Sequence, residues 1–545
     1  MKTKITNAKI IDTYGMIITN GDILINGSKI EKIGKINEKV DETINANGRY
    51  IVPGFIDAHT HIESSLLTPT EFSRIVIKHG TTTVIADPHE ICNVIGINGL
   101  ELFLKESKSL PLEIFFVVPS CVPASKLGTA GAEIGLKDIQ KAMKNKRVVG
   151  LGEVMDFPAV LQRKKGIMAK IKAADKKIVN GHAPGLYGKD MRWYFDAGPS
   201  DDHESLTYAE MIEKADYGVM LFLREGSAEV SQSEQYKIIN SHPGQICFCS
   251  DDKNVDDIER YGSILFNVNK AISLGYDPLL AIRCATYNCA MYYGIDEIGD
   301  IKCGFRANFF LTSSLKKIKP EIVFANGKII FSNKNGIKKI PKFKYPQTVM
   351  NTIKHDPIKE SEILLPKATA GNIIEATDGN IHTEWKKTNK LSEYDIKKDI
   401  LKIVVIERYK KKGNISVGQI TGFGIKNGAI GSTVAHDCHN IIALGTSDDA
   451  IIKVVNHLIR IGGGFAVYNK KTGLDSLDLP IAGLMSQNDH IVVAMKLRKL
   501  REKAHKLGCK MKRPFSTLSF MALEVIPELK ISDKGLVDVN NFKIL

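Results

Sequence analysis

The segment IVPGFIDAHTH, residues 51–61, decides the predicted fold. Its β-branched and aromatic residues predict a buried strand, which Pro53 and Gly54 interrupt. Side chains at i and i+2 of a strand point the same way, so His59 and His61 can reach one metal ion from the strand's end. Imidazole is a common ligand of catalytic divalent metals. An isolated H-x-H pair is a weak pattern, so the interpretation depends on the rest of the chain.

The strand pattern recurs at regular intervals across residues 51–300. Segments with a 3.6-residue period lie between several strands, such as EFSRIVIKHG (71–80) and GSILFNVNKAISLG (262–275). Eight strand–helix units over about 250 residues predict a (β/α)8 barrel. Only the polar end of the sixth strand is clear. The predicted strands are IVPGFIDAH (51–59), TTTVIADP (81–88), EIFFVVPS (113–120), VVGLGEV (148–154), KKIVNGHAP (176–184), SDDHES (200–205), YGVMLFLRE (217–225) and QICFCSDD (245–252).

An open, doubly wound sheet is the alternative architecture for this region. That fold requires a glycine-rich nucleotide-binding loop after its first strand. The sequence has no such loop there. The barrel therefore remains the favoured prediction.

Short alternating strands flank the barrel on both sides, in residues 1–50 and 301–340. Their pattern is typical of small antiparallel sheets. The predicted turns are Asn20-Gly21, Asn26-Gly27 and Asn326-Gly327. We expect the two flanks to form one composite β-sandwich beside a barrel of residues 51–300.

The composition changes again from about residue 341, where three prolines at 341, 346 and 357 indicate a linker. We expect residues 341–545 to form this linker and a separate α+β domain, with a helix near 450–460. Its predicted strands are ILKIVVIER (400–408), STVAHDCHNIIALG (432–445), IGGGFAVYN (461–469) and DHIVVAMKL (489–497).

The net charge of +14, from 75 basic and 61 acidic residues over 545 positions, raises the question of an acidic partner such as nucleic acid. The lysines are scattered, and the densest runs, RKK at 163–165 and YKKKG at 409–413, lack interleaved aromatic residues. We therefore expect no nucleic-acid partner.

The nine cysteines indicate a reducing compartment, because their number is odd and no two form C-x-x-C. This spacing also argues against a zinc ribbon and against the H-x-E…P-C-x-x-C deaminase site. The N-terminus lacks the pattern of a signal peptide, and no 18-residue apolar stretch exists. We expect a cytoplasmic protein without a membrane partner.

Polar residues that end the predicted barrel strands form a candidate metal-binding set. In a (β/α)8 barrel the carboxyl ends of the strands converge on the face that holds the active site. Four histidines and two carboxylates there would repel or stay unsatisfied without a cation, so we predict one or two divalent ions. The predicted ligands are His59, His61, Glu153, His182, His203 and Asp251.

This set predicts hydrolytic chemistry, with Asp251, Glu153 and His203 as the catalytic candidates. A divalent metal lowers the pKa of bound water from 15.7 to about 7. Two ions need a bridging anion, for which Glu153 is the candidate. Asp251 can bind one ion, accept a proton as general base and pass it to a leaving amine, which is a very poor leaving group when unprotonated.

Eight sequence blocks resemble those of the amidohydrolase superfamily and, more narrowly, of the bacterial and archaeal adenine deaminases. The resemblance covers nearly the whole chain. The H-x-H pair marks only the superfamily, whereas the DPHE block, Glu153 in place of a carbamylated lysine, and the last two blocks point to the adenine deaminases. The blocks are PGFIDAHTHIESS, TTTVIADPHEICNVIG, VVGLGEVMDFP, GHAPGL, DDHES, CSDD, STVAHDCHNI and LPIAGLMS.

The resemblance implies hydrolytic deamination of adenine to hypoxanthine and ammonia in purine salvage. It implies a binuclear Mn²⁺ or Fe²⁺ centre, with Zn²⁺ as an alternative, and a homodimer or higher homo-oligomer. The alternatives are a related amidohydrolase acting on a modified adenine, another cyclic amide or an exocyclic amine, and a binding protein built on an inactive barrel. The residues assigned to the substrate are His89, Glu90, Asp252, Ser64 and Tyr187.

The segment AHDCHN contains His436, Asp437 and His439 and invites the prediction of a separate metal site. It lies far from the barrel in the sequence. We favour instead a loop that packs over the barrel mouth or at a subunit interface.

Overall fold

The computed structural model describes residues 2–389 and 393–545. The first part of the chain consists of strands. They are β1 (Lys2–Asp12), β2 (Ile17–Asn26), β3 (Lys29–Gly34), β4 (Glu42–Asn45) and β5 (Tyr50–Pro53).

The barrel follows directly. Its strands are β6 (Phe55–Thr60), β7 (Thr81–Ala86), β8 (Glu113–Val118), β9 (Val148–Val154), β10 (Ile178–Gly181), β11 (Asp201–Asp202), β12 (Met220–Arg224) and β13 (Ile246–Cys249). Its helices are α1 (Pro69–Ile77), α2 (His89–Ile95), α3 (Ile97–Ser107), α4 (Leu136–Ala142), α5 (Phe157–Leu161), α6 (Lys165–Lys172), α7 (Gly188–Phe195), α8 (Tyr208–Asp216), α9 (Ile238–Ser241), α10 (Val255–Tyr261), α11 (Ile264–Ser273), α12 (Pro278–Cys284) and α13 (Tyr287–Tyr293).

The remaining elements belong to the second flank and the C-terminal region. The strands are β14 (Phe309–Thr312), β15 (Ile322–Ala325), β16 (Lys328–Ser332), β17 (Gly336–Ile337), β18 (Asn372–Ala376), β19 (Thr383–Lys387), β20 (Leu401–Ile406), β21 (Ile415–Thr421), β22 (Ala429–Ser432), β23 (Ile441–Gly445), β24 (Gly464–Asn469), β25 (Gly473–Asp478), β26 (Leu529–Ser532), β27 (Gly535–Asp538) and β28 (Lys543–Ile544). The helices are α14 (Asp448–Ile461), α15 (His490–Lys506) and α16 (Pro514–Phe520). Short 3-10 turns occur at Ile62–Ser65, Gln235–Lys237, Gln347–Val349, Glu360–Glu362 and Ile396–Lys398.

The predicted (β/α)8 barrel is confirmed. Strands β6 to β10 form one parallel ladder, and β11 to β13 form another. Backbone hydrogen bonds join these ladders at both seams: the Asp251 amide donates to the His59 carbonyl, and the Ser200 amide donates to the Val179 carbonyl, each at 3.0 Å. The eight strands therefore close on themselves and bring their carboxyl ends to one face.

The sixth strand is short because carboxylate side chains replace part of its ladder. Strand β11 has only two residues. The Gly181 amide donates to Asp201 Oδ1, and the Ala183 amide donates to Asp202 Oδ1, each at 2.9 Å. These two aspartates are fully buried. The aspartates that made this strand hard to predict from the sequence are therefore the residues that attach it to the neighbouring strand.

The two flanks, predicted to form a composite β-sandwich, are joined in one composite sheet. Strand β5 pairs in parallel with β1 and antiparallel with β14, which joins both flanks into a nine-stranded sheet. Residues from both flanks of the barrel share the apolar core of this sheet, including Ile25, Ile51 and Phe309. A Cβ on Gly54 would lie 2.1 Å from Thr82 Oγ1, so this sheet can continue directly into the barrel only through a glycine.

Two of the three predicted turns in these flanks are present. Gly27 and Gly327 both have positive φ at tight reversals between neighbouring strands. The predicted turn at Asn20-Gly21 is wrong, because both residues lie inside β2, where they pair with β1. The long ladder between these two strands outweighs the local preference of Asn-Gly for a turn.

The C-terminal region is α+β, as predicted. It contains an eight-stranded sheet, on which α14 packs, and a three-stranded sheet. The predicted strand DHIVVAMKL is wrong, because it forms the start of α15. Val493, Leu497 and Leu500 are buried at helical spacing, and Asp489 accepts a hydrogen bond from the Ile491 amide at the helix start. The helical period therefore prevails over the β-branched run.

One apolar core continues from the barrel into the C-terminal region. It includes Phe72 of α1 together with Leu497 of α15 and Phe515 of α16. In the described part of the chain, no helix combines the length and apolar character needed to cross a membrane. The division into residues 1–50 with 301–340, 51–300 and 341–545 stays a prediction.

Candidate metal centre and active site

The structure brings all six predicted metal ligands together at the carboxyl ends of the barrel strands. His59 Nε2 and His61 Nε2 lie 3.1 Å apart. Asp251 Oδ1 is 3.6 Å from His59 Nε2 and 3.2 Å from His61 Nε2. A backbone φ of 52° at Asp251, uncommon for a residue with a side chain, turns its carboxylate to this position.

Glu153 lies between two pairs of histidines. Its Oε1 is 3.9 Å from His59 Nε2 and 3.5 Å from His61 Nε2. Its Oε2 is 2.6 Å from His182 Nδ1 and 3.3 Å from His203 Nε2. The two oxygens of one carboxylate therefore face different imidazole pairs.

The donor set fits divalent metal. Ligand atoms of three overlapping groups lie within 4.8 Å of one another: His59, His61 and Glu153; His59, His203 and Asp251; Glu153, His182 and His203. His61 Nδ1 is 2.9 Å from the Asp87 carbonyl, to which it donates, so its Nε2 is the nitrogen that faces the cluster. A hydrogen bond from the other ring nitrogen to a carbonyl orients metal-binding histidines in this way.

Burial and charge govern the protonation of this cluster. Burial alone would raise the pKa of Glu153, but hydrogen bonds from His182 and His203 outweigh it and hold that pKa well below its usual range. Burial likewise opposes ionisation of Asp251, yet His59, His61 and a neighbouring arginine hold its pKa well below the usual range. Both carboxylates are therefore anionic near neutral pH and available to a cation.

The surroundings shift the pKa values of His59 and His203 in opposite directions. Burial lowers the pKa of His59. Burial also disfavours protonation of His203, but the Glu153 carboxylate outweighs it and raises the pKa of His203 to about 9. Without a cation, protons on imidazoles balance the carboxylates. Metal binding must therefore release protons from this site.

The predicted substrate residues His89 and Glu90 begin α2 at the same mouth. His89 Nδ1 is 3.5 Å from Glu153 Oε1. Glu90 Oε1 is 2.6 Å from His436 Nδ1, and Glu90 Oε2 contacts His439 Nε2. The AHDCHN loop thus packs over the barrel mouth, as favoured in the sequence analysis. A carboxylate of the barrel is held by imidazoles of the C-terminal region.

A cavity opens beside the cluster, between the barrel and the C-terminal region. Ser64, Asp252 and His436 contribute its polar lining, and Phe465 and Phe515 contribute apolar rings. Ser64 Oγ donates a hydrogen bond to Asp252 Oδ1. These two rings stack on each other, with their centroids 4.6 Å apart, and form one apolar wall of the cavity.

Tyr187 is placed differently from the other predicted substrate residues. Its ring is 44% exposed, and its hydroxyl lies 3.0 Å from Thr207 Oγ1. Thr207 in turn caps α8 by accepting from the Glu210 amide. The structure therefore directs Tyr187 to the surface between two helix starts rather than into the cavity.

Comparisons with known proteins agree with this geometry. A sequence profile described as the amidohydrolase family matches residues 50–277 and 244–336, and one described as the adenine deaminase C-terminal domain matches residues 376–543. The chain belongs to the adenine deaminase family of amidohydrolases. A protein named adenine deaminase from Clostridium acetobutylicum is 39% identical and covers 99% of this chain and 96% of its own length.

Two further relatives with the same name show similar coverage. The protein of Dehalococcoides mccartyi is 40% identical over 99% of this chain and 95% of its own length. The protein of Staphylothermus marinus is 38% identical over 99% of this chain and 94% of its own length. The family relationship therefore covers the barrel, the flanking sheet and the C-terminal region together. Membership of the amidohydrolase family also implies a divalent metal at the cluster described above.

Arg224 and Glu204 form a part of the site that the sequence analysis missed. Arg224 Nη1 donates to Asp251 Oδ2 at 3.0 Å, and Arg224 Nη2 donates to Glu204 Oε2 at 3.1 Å. Arg224 is 8% exposed. It fixes one oxygen of Asp251 and leaves the other facing the histidines. Arg224 was not predicted because a positively charged side chain does not bind a metal ion. Its position at the end of the seventh strand nevertheless indicated that it faces the barrel mouth.

Asp87 is a second missed residue of the deaminase site. Its side chain is fully buried, and its Oδ2 accepts from the Glu153 amide at 3.2 Å. Its backbone carbonyl also orients His61. The aspartate supports both sides of the cluster, and its carboxylate lies within 4.8 Å of ligand atoms of His89 and Glu153, although it was not among the six predicted ligands. Its position two residues before His89, in the DPHE block, was the available signal.

Lys214 is expected to be essential for the stability of the barrel wall that carries His203. Its Nζ is buried and donates to Asp202 Oδ2 at 2.9 Å, to Glu210 Oε1 at 2.6 Å and to the Ala183 carbonyl at 2.7 Å. Lys214→Met leaves two buried carboxylates without their positive partner, which should lower the free energy of unfolding by about 3–5 kcal/mol. Urea unfolding measures this loss. Lys137→Met, on the exposed face of α4, is the matched control and should change it by less than about 0.5 kcal/mol.

Proposed function

We propose that this protein hydrolyses adenine to hypoxanthine and ammonia at a binuclear metal centre in the barrel mouth. The observation that carries the proposal is Glu153, whose two oxygens face two separate histidine pairs. The relatives named adenine deaminase, which cover nearly the whole chain, support adenine as the substrate.

The proposed ions are Mn²⁺ or Fe²⁺, with Zn²⁺ as the alternative. A bound divalent ion lowers the pKa of a coordinated water molecule to about 7. The imidazole and carboxylate donors of the cluster suit all three metals. The residues proposed to hold the pair are His59, His61, Glu153, His182, His203 and Asp251.

Asp251 is proposed to move the proton during hydrolysis. The reaction forms a C6–O bond and breaks the C6–N6 bond, so the departing amine must gain a proton. Asp251 Oδ1 faces the cluster while Arg224 holds Oδ2, which keeps the carboxylate anionic and oriented as a base. It can accept the proton of water and deliver it to the amine, which leaves as ammonia.

Glu153 and His203 complete the proposed catalytic residues. Glu153 balances the charge of the imidazoles on both sides. His203 Nε2 lies 3.3 Å from Glu153 Oε2 and 3.4 Å from Glu204 Oε1, so two carboxylates orient its ring. Preorganised charges of this kind need no reorganisation as the reaction proceeds.

Asp252, Ser64, His89 and Glu90 are proposed to bind the purine. Asp252 and Ser64 line the cavity beside the cluster. His89 connects Glu90 to Glu153, with Glu90 Oε1 at 3.5 Å from His89 Nε2. A carboxylate can accept from the exocyclic amine or from a ring N–H of adenine, and an imidazole N–H can donate to an unprotonated ring nitrogen. Tyr187 is left out of this pocket because its hydroxyl pairs with Thr207.

Purification from Mn²⁺-supplemented medium tests the proposal. We expect about two metals per chain and equimolar hypoxanthine and ammonia from adenine, followed by ultraviolet absorbance and ammonia release. Bound metal without adenine turnover would direct the search to modified adenines, cyclic amides and other exocyclic amines. Absence of both metal and turnover would overturn the ligand assignment.

We also propose purine salvage in the cytoplasm and a homo-oligomeric state. All nine cysteines are free and eight are buried, as suits a reducing compartment. Tyr14, Ile17 and Ile18 expose apolar surface where β1 and β2 meet, which supports association with a second copy. Light scattering on the purified protein measures the oligomeric state, and a monomer would contradict this proposal.

A further inference from the structure

A second cluster of potential metal ligands joins the barrel to the C-terminal region. It contains Glu71 of α1 together with Asp489 and His490 at the start of α15. The ligand atoms of these three residues all lie within 4.8 Å of one another. None of them belongs to the cluster at the barrel mouth. We propose that they bind one divalent transition-metal ion, which ties α1 to α15.

Glu71 needs a cation that its protein neighbours do not fully supply. The residue is 1% exposed, and neither carboxylate oxygen has a hydrogen-bond partner among the described residues. Arg74 Nη1 is 3.5 Å from Oε1, while its Nη2 donates to the Ile340 carbonyl. Oε2 faces His490 Nδ1 at 3.9 Å, beyond hydrogen-bond distance. A buried carboxylate in this state is strongly unfavourable unless an ion binds it.

His490 is oriented as a metal ligand. It is 5% exposed, and within the described ranges its Nδ1 has no hydrogen-bond partner. Its other ring nitrogen, Nε2, lies 3.5 Å from Glu259 Oε2. Histidines that bind metals characteristically direct the second ring nitrogen to a carboxylate. Nδ1 is therefore left with a free lone pair on the side of Glu71.

The distances around His490 Nδ1 fit an ion rather than direct hydrogen bonds. Asp489 Oδ1 is 3.8 Å away, and Glu71 Oε2 is 3.9 Å away. Two ligands of a tetrahedral ion with bonds of about 2.0–2.2 Å lie about 3.3–3.6 Å apart, so these atoms need to approach by only a few tenths of an ångström to share an ion. Asp489 also caps α15 through the Ile491 amide, and its remaining lone pairs are free for coordination.

The carboxylates of this cluster attract a dication. Glu71 and Asp489 supply two negative charges, of which Arg74, 3.5 Å from Glu71 Oε1, offsets a part. Lys78 Nζ contacts both oxygens of Glu259 at 2.7 Å, so the carboxylate behind His490 is already neutralised. One imidazole nitrogen with two carboxylates favours Zn²⁺ or Mn²⁺ over Ca²⁺, which prefers six to eight oxygen ligands. Asp489 is partly exposed and gives the ion a path from solvent.

Counting bound zinc tests the site. The wild-type protein, Glu71→Gln and Glu101→Gln are each loaded with Zn²⁺ alone, desalted and analysed for metal and for circular dichroism. We expect Glu71→Gln to hold one ion per chain fewer than the wild type and to keep its turnover. Glu101→Gln, an exposed glutamate of α3, should match the wild type. Equal zinc contents in all three proteins would overturn the proposal.

Anomalous diffraction at the zinc edge tests the site without any substitution. Crystals of the Zn²⁺-loaded wild-type protein should show a peak within about 2.2 Å of His490 Nδ1, in addition to those at the barrel mouth. Peaks at the barrel mouth alone would disprove the second site and leave the proposed deaminase centre intact. A peak at His490 alone would support the second site and contradict the binuclear centre.

Discussion

Replacing Asp251 with asparagine is expected to lower kcat for adenine deamination by about 1000-fold or more, with the fold retained. General acid–base groups contribute about 10²–10⁴-fold to catalysis, and Asp251 is proposed to serve both proton transfers. Asparagine keeps the shape but cannot accept a proton from water. It also gives up the ion pair with Arg224, which still has Glu204 as a partner. Steady-state kinetics, metal analysis and adenine binding measure the three consequences separately.

The matched control for this substitution is Asp190→Asn, in an exposed position of α7. It should leave kcat within about two-fold of the wild type, as expected for a surface change of the same chemistry. If Asp251→Asn kept near-wild-type turnover with two metals bound, the assignment of proton transfer to Asp251 would be wrong. If turnover and metal were lost together, Asp251 would act chiefly as a ligand.

Replacing Glu153 with glutamine is expected to abolish turnover and to reduce the bound metal from about two ions to fewer than one per chain. Glu153 is the carboxylate shared by both histidine pairs. Glutamine removes its charge and directs an amide N–H₂ group at imidazole nitrogens that must stay free for a metal. Loss of a buried charge that pairs with several partners is among the most damaging single changes. Metal analysis by mass spectrometry and the ammonia assay measure the two effects.

Glu133→Gln, at an exposed position before α4, is the control for the charge change alone. It should retain both ions and full activity. Retention of two ions by Glu153→Gln would contradict the bridging position. Circular dichroism of both variants separates loss of metal from loss of the barrel.

The barrel and its ligand candidates could be predicted because both depend on short-range patterns. A buried parallel strand is a run of apolar residues, and its last residues must face the barrel mouth. His59 and His61, and also Glu153 and Asp251, follow such runs directly. The position of each residue along its strand was therefore enough to place it near the others.

The prediction failed where local and long-range forces disagree. Ile491, Val492 and Val493 favour a strand, yet they open a helix of 17 residues. That helix buries one face against the sheet and the barrel, which stabilises it more than the strand preference of three residues does. Asn20 and Gly21 likewise favour a turn but remain in β2 because the ladder with β1 continues through them.

By itself the sequence determined the closed barrel, the composite flanking sheet and the six residues that meet at the barrel mouth, because period and strand position are local properties of the chain. Only the tertiary structure decided which charges meet. Arg224 pairs with Asp251, Glu90 lies between His436 and His439, and Tyr187 turns to the surface. These partners come from segments far apart in the chain. Their pairing depends on how the C-terminal region packs on the barrel, which no local pattern contains.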